Sequence, residues 1–132
     1  TGVLEDLRFG LDPLAVEPRA LDGHVATREE VQALMWSCAG MARSDKALQD
    51  AQQRLARWST TFPTPRSASE YELRDLLLVA RLVVAAALAR EETRGAHRRL
   101  DFPAEDSAWR RRLVFRARQI ALARPPSVPA AR

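Results

Sequence analysis

Few residues in this chain combine the types and spacing that chemistry requires. His97 follows Gly95 in the turn Arg94-Gly95-Ala96-His97 and lies close to Arg98, Arg99 and Asp101. A His with a nearby carboxylate is a general-base or relay pair in principle, yet no serine or cysteine stands in a strained elbow beside it, so nucleophilic catalysis is not supported. The bland reading is a capping or interface histidine whose ring bonds to backbone carbonyls or to Asp101. Arg81 is the second unusual residue: a guanidinium inside an apolar helix needs a carboxylate partner such as Asp50 or Glu30, or a route to a surface, or a partner domain. One cysteine, Cys38, and two histidines, His24 and His97, are too few and too scattered for a nitrogen or sulfur metal site. The glycines stand at 2, 10, 23, 40 and 95, nowhere with the spacing that lets a backbone cradle a pyrophosphate. No residue of this chain is expected to be catalytic, cofactor-binding or metal-binding.

The elements that hold these residues are helical. Thr27 and Glu30 form a capping box that opens a first helix over about 28–42, with Val31, Leu34, Met35, Cys38 and Ala42 at helical spacing. Ser44 caps a second helix over about 45–58, whose stripe is Leu48, Ala51, Leu55 and Trp58 while Asp50, Gln53, Arg54 and Arg57 face water. Pro63 and Pro65 break the pattern, and Ser67 with Glu70 makes another capping box for a third helix over about 68–94, closed by Gly95 as a left-handed C-cap. The fold class is all-α, a three-helix bundle over 27–109. Residues 1–26 read as an irregular lead-in, and 110–132 as a basic tail holding a short strand or crossing around Leu113 to Phe115 before a frayed end from Pro125.

Length and composition fit one domain: 132 residues, 46% hydrophobic and 29% charged. Of the 21 basic residues only Lys46 is lysine, a bias that discounts the net charge of +4 as a sign of nucleic acid. The Arg110-Arg111-Arg112 run could contact phosphates, but without interleaved aromatics it reads as a solvated face. The N-terminus has acidic residues and no apolar run, so it is not a secretory signal, and the single free cysteine suits a reducing cytoplasm. Starting at Thr1 rather than Met, the chain reads as a piece of a longer polypeptide. Its third helix is too short and too interrupted by Arg81 to span a membrane, which requires roughly 20 apolar residues.

That helix is nonetheless apolar on every side from Leu76 to Ala89. At about 1.5 Å per residue it would reach on the order of 40 Å, about twice either neighbour, and two short helices would shield about two thirds of it. Something else should cover the rest: the flanking segments, a second copy through self-association, or another domain.

The segment ELRDLLLVARLVVAAALAREETRGAHRRLDFPAEDSAW resembles the C-terminal helical domain of flavoprotein dehydrogenases and oxidases related to succinate dehydrogenase and fumarate reductase. The supporting residues are Glu72-Leu73-Arg74, Val79-Ala80-Arg81, Ala87 to Arg90, Arg94 to His97, and Asp101-Phe102-Pro103 followed by Asp106 and Trp109. Leu34-Met35-Trp36, Ala39-Gly40-Met41 and Arg43-Ser44 add weaker matches, and Thr93 replaces a usual serine. Within the superfamily the chain most resembles L-aspartate oxidases, on the softer match of LLLVARLVVAAALAR and DFP. The resemblance implies an FAD-dependent oxidation of L-aspartate to iminoaspartate in the cytoplasm, the first step towards quinolinate and NAD, by a parent enzyme whose flavin fold lies outside this sequence. It implies a structural role for this domain against the FAD-binding domain of the same polypeptide, with Arg81, Arg94, Gly95, His97 and Asp101 as interface candidates and no partnership with nucleic acid or membrane. The alternatives are a succinate dehydrogenase or fumarate reductase flavoprotein and a free-standing helical interaction module, with a basic nucleic-acid-binding domain behind both.

Overall fold

A computed structural model describes residues 18–113 and 115. Three helices follow in order, α1 (Arg28–Ala39), α2 (Asp45–Thr61) and α3 (Ala68–Ala89), then a 3₁₀ turn at Ser107–Trp109. Each helix begins where a hydroxyl can take an orphan N–H. Thr27 accepts from Glu30 N and its own N–H donates to the Glu30 carboxylate, Ser44 accepts from Ala47 N, and Ser67 accepts from Glu70 N. The second expected box is displaced by one residue, because the Glu70 carboxylate takes the N–H of Arg66 at 2.6 Å.

The ends differ more from expectation than the starts. α1 stops at Ala39 instead of running to Ala42. Gly40 turns the chain so tightly that a Cβ there would sit 2.3 Å from the Trp36 carbonyl oxygen, a contact only glycine avoids. α2 runs three residues past Trp58, and Thr61 joins it to the lead-in by donating to the His24 carbonyl at 2.6 Å. α3 ends at Ala89, five residues short of Arg94. Gly95 does adopt a left-handed φ of 57°, but within the turn in which Arg94 and His97 exchange backbone hydrogen bonds of 2.8 and 3.0 Å.

The core forms where the three helices meet. Val31, Leu34 and Ala39 of α1, Leu48, Ala51, Leu55 and Trp58 of α2, and Leu77, Ala80, Val84 and Ala87 of α3 are buried in one cluster with Ala26. On α3 this picks out a stripe at steps of three and four residues from a helix that is apolar all round. The opposite side is uncovered, with Val79 and Val83 exposed by 54% and 40%. Among the described residues no helix is long and apolar enough to cross a membrane. The lead-in is described from residue 18 and the tail to Leu113 with Phe115; neither Leu113 nor Phe115 belongs to a strand among the described residues, and the remainder of both segments, including the expected frayed end, lies outside them.

Candidate functional site

The polar chemistry concentrates in the loop from Arg90 to Asp106, where two charged groups are withdrawn from water. Glu92 is fully buried and Arg99 is 1% exposed. The sequence marks neither as a site residue, and both organise the residues that it does mark.

Arg99 closes the end of α3. Its NH1 donates to the carbonyls of Ala87 at 2.7 Å, Leu88 at 3.1 Å and Arg90 at 3.4 Å, which are the acceptors a helix C-terminus leaves without intrahelical partners. The rest of the guanidinium grips Asp101 in a fork, Nε to Oδ1 at 2.8 Å and NH2 to Oδ2 at 2.6 Å, and its face lies over the Phe102 ring at 5.0 Å. That pairing holds the Asp101 carboxyl at about 2, against burial that acts the other way. Asp101 also accepts from the N–H of Asp45 at 3.2 Å, at the first turn of α2.

His97 faces the same helix end. Its Nε2 lies 2.9 Å from the Arg90 carbonyl and its Nδ1 lies 2.7 Å from Arg43 NH1. A guanidinium only donates and a carbonyl only accepts, so Nδ1 is the acceptor and the ring proton is on Nε2. His97 is therefore a neutral imidazole with both nitrogens committed. Burial lowers its pKa, opposed by the bond to the Arg90 carbonyl and reinforced by the charges of Arg43, Arg99 and Arg90. Arg43 in turn donates from Nε to the carbonyls of Ala39 and Gly40 at 3.0 and 3.3 Å, closing α1. Its backbone pairs with the loop, through Arg43 N to the Arg98 carbonyl and Leu100 N to the Arg43 carbonyl.

Glu92 anchors the other half of the loop. Arg94 donates to it from Nε and NH2 at about 3 Å, Arg90 NH1 makes a short contact, and Asp106 N donates at 3.0 Å. Led by the Arg94 hydrogen bonds, these hold its carboxyl at about 2 despite burial. Arg94 also reaches Glu105 at 3.0 Å, and Arg90 lies over the Trp109 ring at 5.5 Å. The Thr93 hydroxyl accepts from Arg99 N at 2.9 Å and lies within 3.1 Å of the Arg99 and Phe102 carbonyls, so a hydroxyl, threonine or serine, is what this position requires.

Of the five residues singled out in the sequence, the structure gathers Arg94, Gly95, His97 and Asp101 into this loop and leaves Arg81 apart on α3, partly buried and not without a partner of its own. Glu30, offered as its counter-ion, is taken up by Thr27 and His24. Asp50, the other candidate, is exposed on α2. Arg43, Arg90, Glu92 and Arg99 are the members that sequence reasoning missed. Their signal was spacing: Arg90, Glu92 and Arg94, and again Arg99 and Asp101, alternate by two, which in extended chain puts them on one side.

The arrangement is a clasp for helix ends, with its buried ionised groups spent on one another and on backbone. It sits at one end of an all-α, three-helix domain. The chain belongs to the fumarate reductase flavoprotein C-terminal family, whose model matches residues 28–124. It is 37% identical over 86 residues to L-aspartate oxidase 2-b, chloroplastic, of Nicotiana tabacum, covering 58% of this chain and 13% of that protein. To the L-aspartate oxidase of Pseudomonas aeruginosa it is 35% identical over 82 residues, covering 57% and 15%. To a subunit of the fumarate reductase (CoM/CoB) of Methanothermobacter marburgensis it is 32% identical over 98 residues, covering 67% and 18%. The chain thus spans less than a fifth of the length of these relatives.

Proposed function

We propose that this chain serves as the C-terminal helical domain of a cytoplasmic, FAD-dependent L-aspartate oxidase, which converts L-aspartate to iminoaspartate on the route to quinolinate and NAD, and that its own part is packing. The observation that carries the packing role is the uncovered side of α3, where Val79 and Val83 stand one turn apart and exposed. Trp36 and Met41, at 76% and 80% exposed, and Leu100 at 58% add apolar surface that suits an adjoining protein face. The FAD-binding domain of the same polypeptide is the partner this reading assigns. Arg94, Gly95, His97 and Asp101 then act on the interface indirectly, by fixing the loop that presents Leu100, and Arg81 through its place on α3.

This reading assigns the cofactor to the rest of the polypeptide, and the pairing of Arg94 with Glu92 and of Arg99 with Asp101 supports it. L-aspartate is favoured as substrate by the L-aspartate oxidase relatives at 35–37% identity. A second reading, a succinate dehydrogenase or fumarate reductase flavoprotein, is supported by the family description and by the 32% identity to the fumarate reductase (CoM/CoB) subunit of Methanothermobacter marburgensis.

The test is the complete polypeptide that contains this chain, purified and assayed with L-aspartate and with succinate, using oxygen, fumarate or a dye as acceptor. Bound flavin with turnover of L-aspartate is expected. Succinate turnover without aspartate turnover would move the assignment to the second reading, and a colourless, inactive product would remove both.

A further inference from the structure

His97 joins two helix ends through bonds that a single proton affects in opposite ways. Its Nε2–H donates to the Arg90 carbonyl after α3, and its Nδ1 accepts from Arg43 NH1 after α1. A proton on Nδ1 would leave two donors facing each other at 2.7 Å, both on cations. The same proton makes Nε2–H the stronger donor, because a hydrogen bond from an ionised group exceeds a neutral one. The ring therefore stays with α3, and the contact with Arg43 is the one that breaks.

The surroundings offer an imidazolium no compensation. Arg43 faces the ring from the α1–α2 connection, Arg90 from the end of α3, and Arg98 and Arg99 follow it in its own loop. Arg94, Arg110, Arg111 and Arg112 line the open cavity beside it, which also gives the ring access to solvent protons. The nearby carboxylates are engaged elsewhere: Glu92 with Arg90 and Arg94, Glu105 with Arg94, and Asp45 and Asp101 with Arg99. Glu91 is exposed and acts on Arg99 at a distance. Among the described residues no carboxylate lies within ion-pair distance of His97. Burial, reinforced by the charges of Arg43, Arg99 and Arg90, holds its midpoint below the ordinary 6.5 despite the Arg90 carbonyl, so the bridge is made at neutral pH.

What hangs on Arg43 makes the break consequential. Its Nε holds the Ala39 and Gly40 carbonyls, its N–H reaches the Arg98 carbonyl, and its own carbonyl accepts from Leu100 N at 2.8 Å. Met41 and Leu100, both strongly exposed, are carried by this segment. We propose that His97 is a proton-operated latch: the neutral ring ties the end of α1 to the end of α3, and the imidazolium releases α1 while keeping its hold on α3, loosening the surface that Met41 and Leu100 present. The latch follows from this chain alone; its effect on docking rests on the packing role proposed above.

The test takes the full 132-residue chain from roughly pH 7.5 to 4.5, following the His97 ring by NMR and amide protection factors corrected for the intrinsic pH dependence of exchange. Protection of the Arg43 and Leu100 amides should fall about tenfold across the His97 midpoint, the worth of one charge-assisted bond, while the Leu48 and Leu55 amides of α2 hold. H97N offers an amide oxygen in place of the Nδ1 acceptor and does not titrate, so the fall should vanish. H97Q keeps only the Nε2-like donor, and protection should be low throughout. If H97N fails to fold by far-UV circular dichroism, R43M replaces it: the His97 midpoint should rise and the Leu100 response disappear, and an unchanged midpoint overturns the latch. A flat wild-type profile, an equal fall in H97N, or a fall shared by the α2 amides also overturns it. In the complete polypeptide, acid below the midpoint should lower the melting temperature of wild type more than that of H97N. Equal shifts there, with the latch seen in the isolated chain, overturn the docking consequence; whether the domain packs at all is read separately, from the Val79 and Val83 face.

Discussion

Replacing Glu92 by glutamine keeps the shape of the side chain and removes its charge, which isolates what the buried carboxylate contributes. Glu92 is fully buried and receives N–H groups from Arg90, Arg94 and Asp106. Its carboxyl is held at about 2 against an ordinary 4.5, with Arg94 as the largest cause. A difference of that size corresponds to about 3 kcal/mol of stability through proton linkage, within the range measured when one member of a buried ion pair is removed. Because the folded value lies below the unfolded one, the contribution is complete above pH 4.5 and disappears as the pH falls towards 2. Glutamine keeps one acceptor oxygen but turns an amide N–H₂ towards arginine donors in place of the other, so at neutral pH only part of the bonding is recovered. The expected result is a loss of about 3 kcal/mol in E92Q at pH 7, roughly 10 °C in Tm, with wild type and variant converging near pH 2. Urea unfolding of the full chain followed by far-UV circular dichroism at pH 7, 4.5, 3 and 2 measures this. A gap below about 1 kcal/mol at pH 7, or one equally large at pH 2, would refute the claim that a buried ionised carboxylate ties the loop together.

Three further outcomes follow from the same geometry. R99M removes the group that satisfies Ala87, Leu88 and Arg90 carbonyls and pairs with Asp101, and should cost roughly 3–5 kcal/mol in urea unfolding, with R99K recovering only part of it. His97 should show the Nε2–H tautomer in ¹H–¹⁵N correlation spectra and a midpoint below 6.5; its stabilising neutral form is fully populated above that value and is lost as pH falls through the folded midpoint, so a midpoint above 6.5 contradicts the assignment. V79E with V83E should leave the stability of the isolated chain within about 0.5 kcal/mol while lowering the melting temperature of the complete polypeptide, and equal melting temperatures would place the interface elsewhere.

The helix starts were legible because they are local: a hydroxyl at Thr27, Ser44 or Ser67 meets an N–H three residues on. The buried stripe of α2 was legible too, since Leu48, Ala51, Leu55 and Trp58 alternate with charged residues that mark the other side. α3 offers no such contrast; Leu77, Ala80, Val84 and Ala87 are chosen from a continuous apolar run by what α1 and α2 present. The helix ends were the least legible. α1 is closed partly by Arg43 and α3 by Arg99 and His97, side chains that reach back or across the fold. Gly95 reads as a C-cap because its conformational freedom is local information, whereas the guanidinium that closes the helix comes from twelve residues after Ala87.

The loop charges also match the polarity of the helices they touch. Arg43 meets the C-terminal carbonyls of α1, Arg99 those of α3, and Asp101 the first-turn N–H of Asp45 in α2. Each charge thus faces the helix end whose macrodipole it complements, cation at the negative end and anion at the positive end. If pairing alone mattered, exchanging the two partners in R99D/D101R would keep the ion pair and restore stability to within about 1 kcal/mol of wild type. The geometry requires the opposite: the swapped carboxylate would face the carbonyls of Ala87 and Leu88, and the swapped guanidinium the N–H of Asp45, so both contacts turn repulsive while the buried donors and acceptors lose their partners. The double swap should therefore be at least as unstable as R99M, by roughly 3–5 kcal/mol in urea unfolding. Recovery to near wild type would show that the order of arginine and aspartate in this loop reflects pairing and owes nothing to the polarity of the helices it joins.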